Sequence, residues 1–289
     1  MPTWSALTTL PGPAAAAALA AATERMTPAP VGVGVFEIED GSDLWEVGAY
    51  FEDSPDTVVL AILAAAFGAA DFAVSELPEV DWVAKVRREL HPVEAGRFFV
   101  YGSHDAHRVP VGRVALQIEA TVAFGTGHHG TTLGCLRAFD RLAVEGFQPA
   151  RVIDIGCGTA VLAMAAAAVL PGATVIASDI DAVAVDVARA NVAINGLEAR
   201  ITCIEAAGFA HPSLTAAAFD LIFANILKGP LIELAPAMAA HAAPGGIVIL
   251  SGLLVVQADA ILAAYADAGF APRAREDIGE WSTLVLRRD

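Results

Sequence analysis

The second half of the chain alternates short, continuously apolar segments with segments of helical composition. Strands rich in Val, Ile and Leu, without polar alternation, are typical of a parallel sheet that helices cover on both faces. The alternation therefore predicts an α/β fold, a Rossmann-like doubly wound domain, over residues 114–289. The predicted strands are residues 152–155, 174–178, 220–224 and 246–251, and the predicted helices between them are 160–169 and 182–194.

The first 77 residues follow a different order, strand-helix-strand-strand-helix-strand, which predicts a small ferredoxin-like α+β domain. Pro55 is expected in the first turn of the second helix, where its missing N–H costs nothing. Residues 78–113 are predicted to form a linker with a helix at 81–90, a strand near 97–101 and a solvated polar run at 103–108. The predicted strands of the first domain are residues 4–10, 31–38, 44–50 and 72–76, and its helices are 14–26 and 54–67.

A glycine turn follows the first strand of the second domain, in the segment Asp154-Ile155-Gly156-Cys157-Gly158-Thr159. Glycines let the backbone approach a ligand closely, and the start of the next helix offers free N–H groups. The next strand ends at Asp179, about 20 residues beyond the glycines, where an acid can accept hydrogen bonds from ribose hydroxyls. The segment predicts a site for a cofactor with a nucleoside portion, with Gly156, Gly158 and Asp179 in contact with it.

This spacing also suits a nicotinamide dinucleotide, and two residues argue against that alternative. Val161 stands where the third glycine of the dinucleotide motif would be. Asp154 lies two residues before the first glycine, where a carboxylate would repel a diphosphate. A carboxylate suits S-adenosylmethionine, because the amino-acid end of that cofactor carries a cation. We therefore expect S-adenosylmethionine, with Asp154 near its charged end.

Two further segments carry chemistry. Asn225 follows a predicted strand, where α/β sheets hold ligands, and its amide can orient a nucleophilic amine; a turn-forming Asn is the alternative. The segment Ala123–Thr132 contains three glycines and leads into a helix from about Thr131, which Thr131 or Thr132 can cap. His128 and His129 are adjacent and would point in different directions, and no Cys/His spacing suits zinc. No metal site is predicted.

Composition limits the partners. The net charge is −16, so the chain repels phosphate backbones, and a basic protein or cationic amine is the more suitable partner. The longest alanine-rich run, residues 14–22, is too short to cross a bilayer and lacks preceding basic residues. Three cysteines, an odd number and widely spaced, suit a reducing compartment. A cytoplasmic protein with no membrane or direct nucleic-acid contact is predicted.

Together these segments resemble the ribosomal protein L11 methyltransferase family, from about Asp81 to the C-terminus. The loop at 123–132, the glycine turn, Asp179 and the run from Asn225 to Leu231 match in the same order, as do 244–246 and 250–253. The resemblance implies that Thr132, Gly156, Asp179 and Asn225 contact S-adenosylmethionine and that Asn225 faces the transferred methyl group. It also implies an N-terminal domain that docks the ribosomal substrate through a flexible linker.

The expected activity is methyl transfer to amines of ribosomal protein L11, on lysine side chains, the N-terminal amine or both. A methyltransferase of the same build acting on another protein, a small-molecule methyltransferase and an inactive scaffold remain the alternatives. We expect a monomer. One residue departs from the family pattern: Ala160 stands where many relatives have a further glycine, and we expect its methyl group to narrow the approach to the cofactor.

Overall fold

The computed structural model describes residues 3–38, 42–77, 92–118, 129–214 and 218–289. The chain divides into two compact units, residues 1–82 and 83–289. In the described part of the chain, no helix is both long enough and apolar enough to cross a membrane.

The first unit has the predicted element order. Its sheet has the strand order β2-β3-β1-β4, and each neighbouring pair is antiparallel. This is the arrangement of a ferredoxin-like sandwich, so the predicted class of the small domain is confirmed. The elements are β1 (Thr3–Pro11), α1 (Pro13–Thr23), β2 (Gly32–Glu37), β3 (Leu44–Phe51), α2 (Thr57–Phe67) and β4 (Ala73–Leu77).

The helices of the first unit pack on one face of this sheet. Leu10 and Val47 from the sheet contact Ala16 and Leu19 from α1, and all four are buried. Helix α2 begins differently from the prediction. Asp56 is its N-cap, and its side chain accepts hydrogen bonds from the backbone N–H groups of Val58 and Val59. Pro55 therefore precedes the cap instead of lying in the first turn.

The second unit contains a seven-stranded sheet with the order β10-β9-β8-β11-β12-β14-β13 and a three-stranded sheet with the order β5-β6-β7. Its strands are β5 (Val93–Ala95), β6 (Phe98–Tyr101), β7 (Val114–Gln117), β8 (Arg151–Ile155), β9 (Thr174–Asp179), β10 (Ile201–Glu205), β11 (Phe219–Asn225), β12 (Ala242–Leu254), β13 (Phe270–Ile278) and β14 (Trp281–Arg288). Its helices are α3 (His129–Val144), α4 (Val161–Val169), α5 (Ala182–Ile194), α6 (Lys228–His241) and α7 (Ala258–Asp267), with 3-10 turns at Ser103–Arg108 and Val255–Gln257.

The large sheet is doubly wound. Strands β8 to β12 are parallel, and β14 runs antiparallel to both of its neighbours. Alternate residues of each strand enter opposite cores: Val152 packs in one with α3 and α4, and Ile153 in the other with α6 and α7. Burial of both faces explains why the strands lack polar alternation. The predicted α/β class is confirmed.

The described part of the predicted linker is folded into the second unit. Phe98 and Val100 of β6 share a core with Phe139 of α3, and the Phe98 and Phe139 rings stack with centroids 5.8 Å apart. The polar run 103–108 forms a 3-10 turn in which Asp105 is buried and accepts a hydrogen bond from Arg108. The predicted helix at 81–90 lies outside the described residues.

Candidate active site

The carboxyl ends of β8 and β11 meet at the point where the strand order of the large sheet reverses. Open α/β sheets bind their ligands in the crevice outside such a point. A cavity of about 240 Å³ lies there. Five of the six predicted site residues line it, and Asp179 lies one contact away. The cavity is lined by Thr131, Thr132, Asp154, Gly156, Cys157, Gly158, Thr159, Val161, Leu162, Asn225, Ile226, Leu227, Gly252 and Trp281.

The glycine turn requires its glycines. Gly156 has φ +66° and Gly158 has φ +49°, in the left-handed region that favours residues without a side chain. A Cβ on Gly156 would lie 2.3 Å from Cγ2 of Ile226. Asp179, half-buried, holds the turn because its Oδ2 accepts the N–H of Gly158 at 2.9 Å. In the described structure Asp179 therefore braces the turn that forms the cavity wall.

Asp154 is a buried carboxylate at the base of this cavity, 1% exposed. Its Oδ2 accepts the N–H of Ala163 at 3.1 Å, whereas its Oδ1 is buried and has no hydrogen-bond partner among the described residues. Burial raises the pKa of Asp154 to about 7; the hydrogen bond from Ala163 opposes the shift and the charge of Asp179 adds to it. A buried acceptor without a donor is costly, so this oxygen indicates a ligand that brings one.

Asn225 is the last residue of β11, whereas the sequence predicted that it follows the strand. Its Nδ2 donates to Oγ1 of Thr131 at 3.3 Å, which fixes the orientation of the amide. Helix α3 already begins at His129, so the expectation that Thr131 or Thr132 caps it is wrong. Both threonines are buried in its first turn and line the cavity.

Nine of the described lining residues were not predicted as site residues, and four of these nine lie in or next to strands β11, β12 and β14. Trp281 enters from the start of β14, Ile226 and Leu227 follow Asn225, and Gly252 lies in the long strand β12. A Cβ on Gly252 would lie 2.4 Å from the carbonyl oxygen of Ile226, so this glycine is needed for close packing. Gly252 lies in the segment 250–253, which matches the family pattern, and this match was the sequence signal that could have identified it as a site residue. Nothing local in the sequence marks Trp281.

The cysteine in the cavity is not a nucleophile. Burial raises the pKa of the Cys157 thiol, and the nearby charge of Asp154 raises it further, so the thiol stays protonated. Among the described residues no group of three or more His, Cys, Asp or Glu side chains is arranged to hold a metal ion. Residues 123–128, with His128, and the side chain of His129 lie outside the described part of the structure.

The doubly wound sheet, the glycine turn and the acid-lined cavity at the switch point define the class as Rossmann-like α/β methyltransferases. A family model described as ribosomal protein L11 methyltransferase matches residues 15–289. The chain belongs to the ribosomal protein L11 methyltransferase family.

Individual relatives agree with the family match. A ribosomal protein L11 methyltransferase of Brucella melitensis biotype 2 is 47% identical over 256 residues, which are 88% of this chain and 89% of the relative. The Bradyrhizobium diazoefficiens protein of the same name is 46% identical over 261 residues, 89% of this chain and 87% of the relative. A crystal structure titled ribosomal protein L11 methylase, from Lactobacillus delbrueckii subsp. bulgaricus, aligns with TM-score 0.60 and 28% identity over 69% of this chain and 99% of its own.

Proposed function

We propose that this protein transfers methyl groups from S-adenosylmethionine to amines of ribosomal protein L11. The observation that carries the proposal is the pairing, in one cavity, of a buried carboxylate oxygen that needs a donor with an oriented amide at the neighbouring strand end. The first suits the cationic end of the cofactor and the second suits an amine. Membership of a family whose relatives are named for L11 supports the choice of substrate.

The residues present fit S-adenosylmethionine. Asp154 Oδ1 would accept from the ammonium group of its amino-acid end, a charge-assisted hydrogen bond in a dry environment. Gly156, Gly158 and Thr132 would contact the remainder, and Asp179 is the acid next to the ribose position. Among the described lining residues none is Lys, Arg or His, so a diphosphate would find no countercharge there. When bound, the cofactor supplies a methyl group already activated on a sulfonium.

The protein contributes alignment more than acid–base chemistry. Thr131 holds the amide of Asn225 through Nδ2, which leaves Oδ1 as the acceptor for an N–H of the incoming amine. Asp154 and Cys157 are the ionisable groups among the described lining residues. Asp154 pairs with Phe223 of β11, two residues before Asn225, but its free oxygen is the proposed acceptor for the cofactor, and the Cys157 thiol stays protonated because burial raises its pKa. The amine must therefore reach the site neutral or lose its proton to water. Proximity and orientation then supply most of the rate gain.

The rest of the molecule fits this role as part of the same proposal. Residues 1–77 would recognise the ribosomal substrate, residues 78–113 would join the two domains, and residues 114–289 would carry the reaction. The net charge of −16 favours a substrate protein that presents amines and disfavours direct contact with nucleic acid. We propose that the protein acts in the cytoplasm as a monomer.

The test is incubation with labelled S-adenosylmethionine and purified L11, beside a whole ribosomal protein mixture. Label on L11 amines is the expected result. Label on a different protein of the mixture, with none on L11, would show a methyltransferase of the same build with another substrate. Label on neither, with tight cofactor binding by calorimetry, would leave the small-molecule alternative, and no cofactor binding would leave the scaffold.

Asn225→Ala tests the proposed role of the amide. Loss of the acceptor that aligns the amine should lower kcat by at least about tenfold, because a misplaced nucleophile loses most of the proximity advantage. The affinity for S-adenosylhomocysteine, measured by calorimetry, should change much less. Unchanged turnover in the variant would remove Asn225 from the reaction.

A further inference from the structure

Trp281 lines the same cavity as Asn225, and the proposed reaction as stated gives it no task. It is the first residue of β14 and half-buried. The β13–β14 hairpin turns on Gly279, whose φ is +60°, and Trp281 pairs with Ile278 across the turn and with Leu254 of β12. The indole is thus carried by paired strands on both sides, so its position is set by the sheet.

The start of helix α3 links this indole to the oriented amide. A Cβ on Gly130 would lie 3.2 Å from Cδ1 of Trp281, so the first turn of the helix runs close to the ring edge. The next residue, Thr131, receives the hydrogen bond from Asn225. Gly130 and Thr131 therefore bring an aromatic ring and an amide acceptor to one part of the cavity wall.

An aromatic group suits this position better than a carboxylate would. A carboxylate beside the amine would stabilise its protonated form and raise its pKa, which would keep the nitrogen from acting as a nucleophile. An aromatic ring attracts a cation more weakly and leaves the neutral amine accessible. Among the described lining residues the carboxylate is Asp154, which lies on β8, whereas Asn225 ends β11 and Trp281 begins β14.

Resting on the proposed function, we infer that Trp281 is the aromatic wall that holds the amine and stabilises the positive charge that forms on its nitrogen. The amine nitrogen uses its lone pair to form the bond to the methyl carbon while the carbon–sulfur bond breaks, and that electron pair goes to sulfur. The nitrogen becomes a methylated ammonium and then loses a proton to water. A ring beside the nitrogen stabilises the charge as it appears.

The contributions of Asn225 and Trp281 to holding the amine change with each methyl group added. A primary amine has two N–H bonds for the Asn225 acceptor, a monomethylated amine has one and a dimethylated amine has none. Each methyl also makes the cation less hydrated and better suited to an aromatic face. Trp281 therefore sets the degree of methylation, because its contribution is largest where that of Asn225 is smallest.

The first arm of the test measures binding without turnover. Choline and its neutral isostere 3,3-dimethylbutan-1-ol are titrated into the full-length protein saturated with S-adenosylhomocysteine, and methyl line broadening is followed by NMR. Choline should bind about 3- to 30-fold more tightly than the alcohol. Trp281→Leu should abolish the difference and Trp281→Phe should keep part of it. Equal binding of both probes to the unaltered protein would overturn the proposal, whether or not L11 is the substrate.

The second arm uses purified L11 and mass spectrometry of the product amines. Trp281→Leu should shift the products toward the monomethyl form and slow the last round by about tenfold or more, whereas Asn225→Ala should slow the first round most. Val256→Ala, a change at an exposed nearby residue, is the control and should match the unaltered protein. Affinity for S-adenosylhomocysteine should stay within about twofold in Trp281→Leu.

The outcomes separate the two proposals. If the unaltered protein does not methylate L11, the proposed substrate fails while the choline titration still tests the ring. If L11 is methylated and Trp281→Leu gives the same product distribution as the unaltered protein, the ring has no such role and the proposed function stands.

Discussion

At the scale of single residues, Asp154 is where folding and binding make opposite demands. Its carboxyl is buried and only one of its oxygens is paired within the described structure. Burial raises its pKa from the ordinary value of 3.8 to about 7. A buried carboxyl group retained at a cost to stability indicates that a ligand needs it, because a residue of the same shape that never ionises would fold more easily.

The first prediction concerns stability. Between about pH 4 and pH 7 the folded protein retains the Asp154 proton that the unfolded chain has released, so the free energy of unfolding falls as pH rises through this window. Asp154→Asn removes this loss. The variant should have a Tm several degrees above the unaltered protein at pH 8, and the gap should shrink at pH 4. Thermal unfolding measures it, with the exposed Asp186→Asn as a control that shows no such gap.

The same residue predicts how cofactor affinity depends on pH. The cationic amino-acid end binds the ionised carboxyl, so affinity for S-adenosylmethionine should rise about tenfold from pH 5.5 to pH 7. 5′-Methylthioadenosine lacks that end and should show a flat profile. Calorimetry of both ligands checks the difference, and Asp154→Asn should flatten the S-adenosylmethionine profile. If the affinities of the two ligands depended on pH in the same way, the cationic end of S-adenosylmethionine would not bind at Asp154.

Ala160 lowers stability through backbone strain. The sequence suggested that its methyl group narrows the approach to the cofactor, but Ala160 is fully buried and is not among the residues that line the cavity. It is the N-cap of α4 and has φ +61°, a left-handed conformation that strains any residue with a Cβ. The departure from glycine therefore acts through backbone conformation.

Ala160→Gly should stabilise the protein by about 1 kcal/mol, because glycine adopts this conformation without the steric penalty. The Tm should rise by about 2–4 °C for a domain of this size. The matched control is Ala168→Gly, an exposed position inside the same helix, where glycine should destabilise by about 0.5–1 kcal/mol. A loss of stability in both variants would contradict the conformational explanation.

At the scale of elements, helix α3 approaches the large sheet closely because it carries Gly134. A Cβ on Gly134 would lie 2.1 Å from Oγ1 of Thr283 in β14, too short for any contact. Glu276 of β13 accepts hydrogen bonds from Arg137 and Arg141 of the same helix. Partial burial opposes ionisation of Glu276, but the two arginines outweigh it and lower its pKa. The helix that provides Thr131 and Thr132 is therefore fixed along its length.

Gly134→Ala should destabilise the second unit by about 1–3 kcal/mol, because the helix or the strand must shift to admit the methyl group. Gly229→Ala, in the first turn of α6 with open space around the added carbon, should be neutral or slightly stabilising. Chemical denaturation of both variants makes the comparison. Equal free energies of unfolding for the two variants would show that α3 packs less tightly than described.

At the scale of the whole molecule, sequence reasoning located the elements well and their neighbours less well. The order of strands and helices in the first unit was predictable, as were β8, β9, β11 and β12 of the second, because each of these elements buries its own apolar pattern. Strands β10 and β13 and helices α6 and α7 were not predicted. The antiparallel strand β14 between β12 and β13 was not predicted, since strand neighbours depend on contacts between distant segments. The strand near residues 97–101 was predicted, but its packing on α3 was not, because the stacking of Phe98 on Phe139 joins segments that are distant in the chain.

The candidate site divides in the same way. The sequence by itself determined the glycine turn, its flanking acids and the amide at the next strand end, because these features follow from residue type and short spacing. Only the tertiary structure decided that Trp281 joins Asn225, that one oxygen of Asp154 has no described partner and that Ala160 is strained. These three properties arise from the meeting of segments far apart in the chain and from the backbone angles that their packing imposes, and no local pattern encodes them.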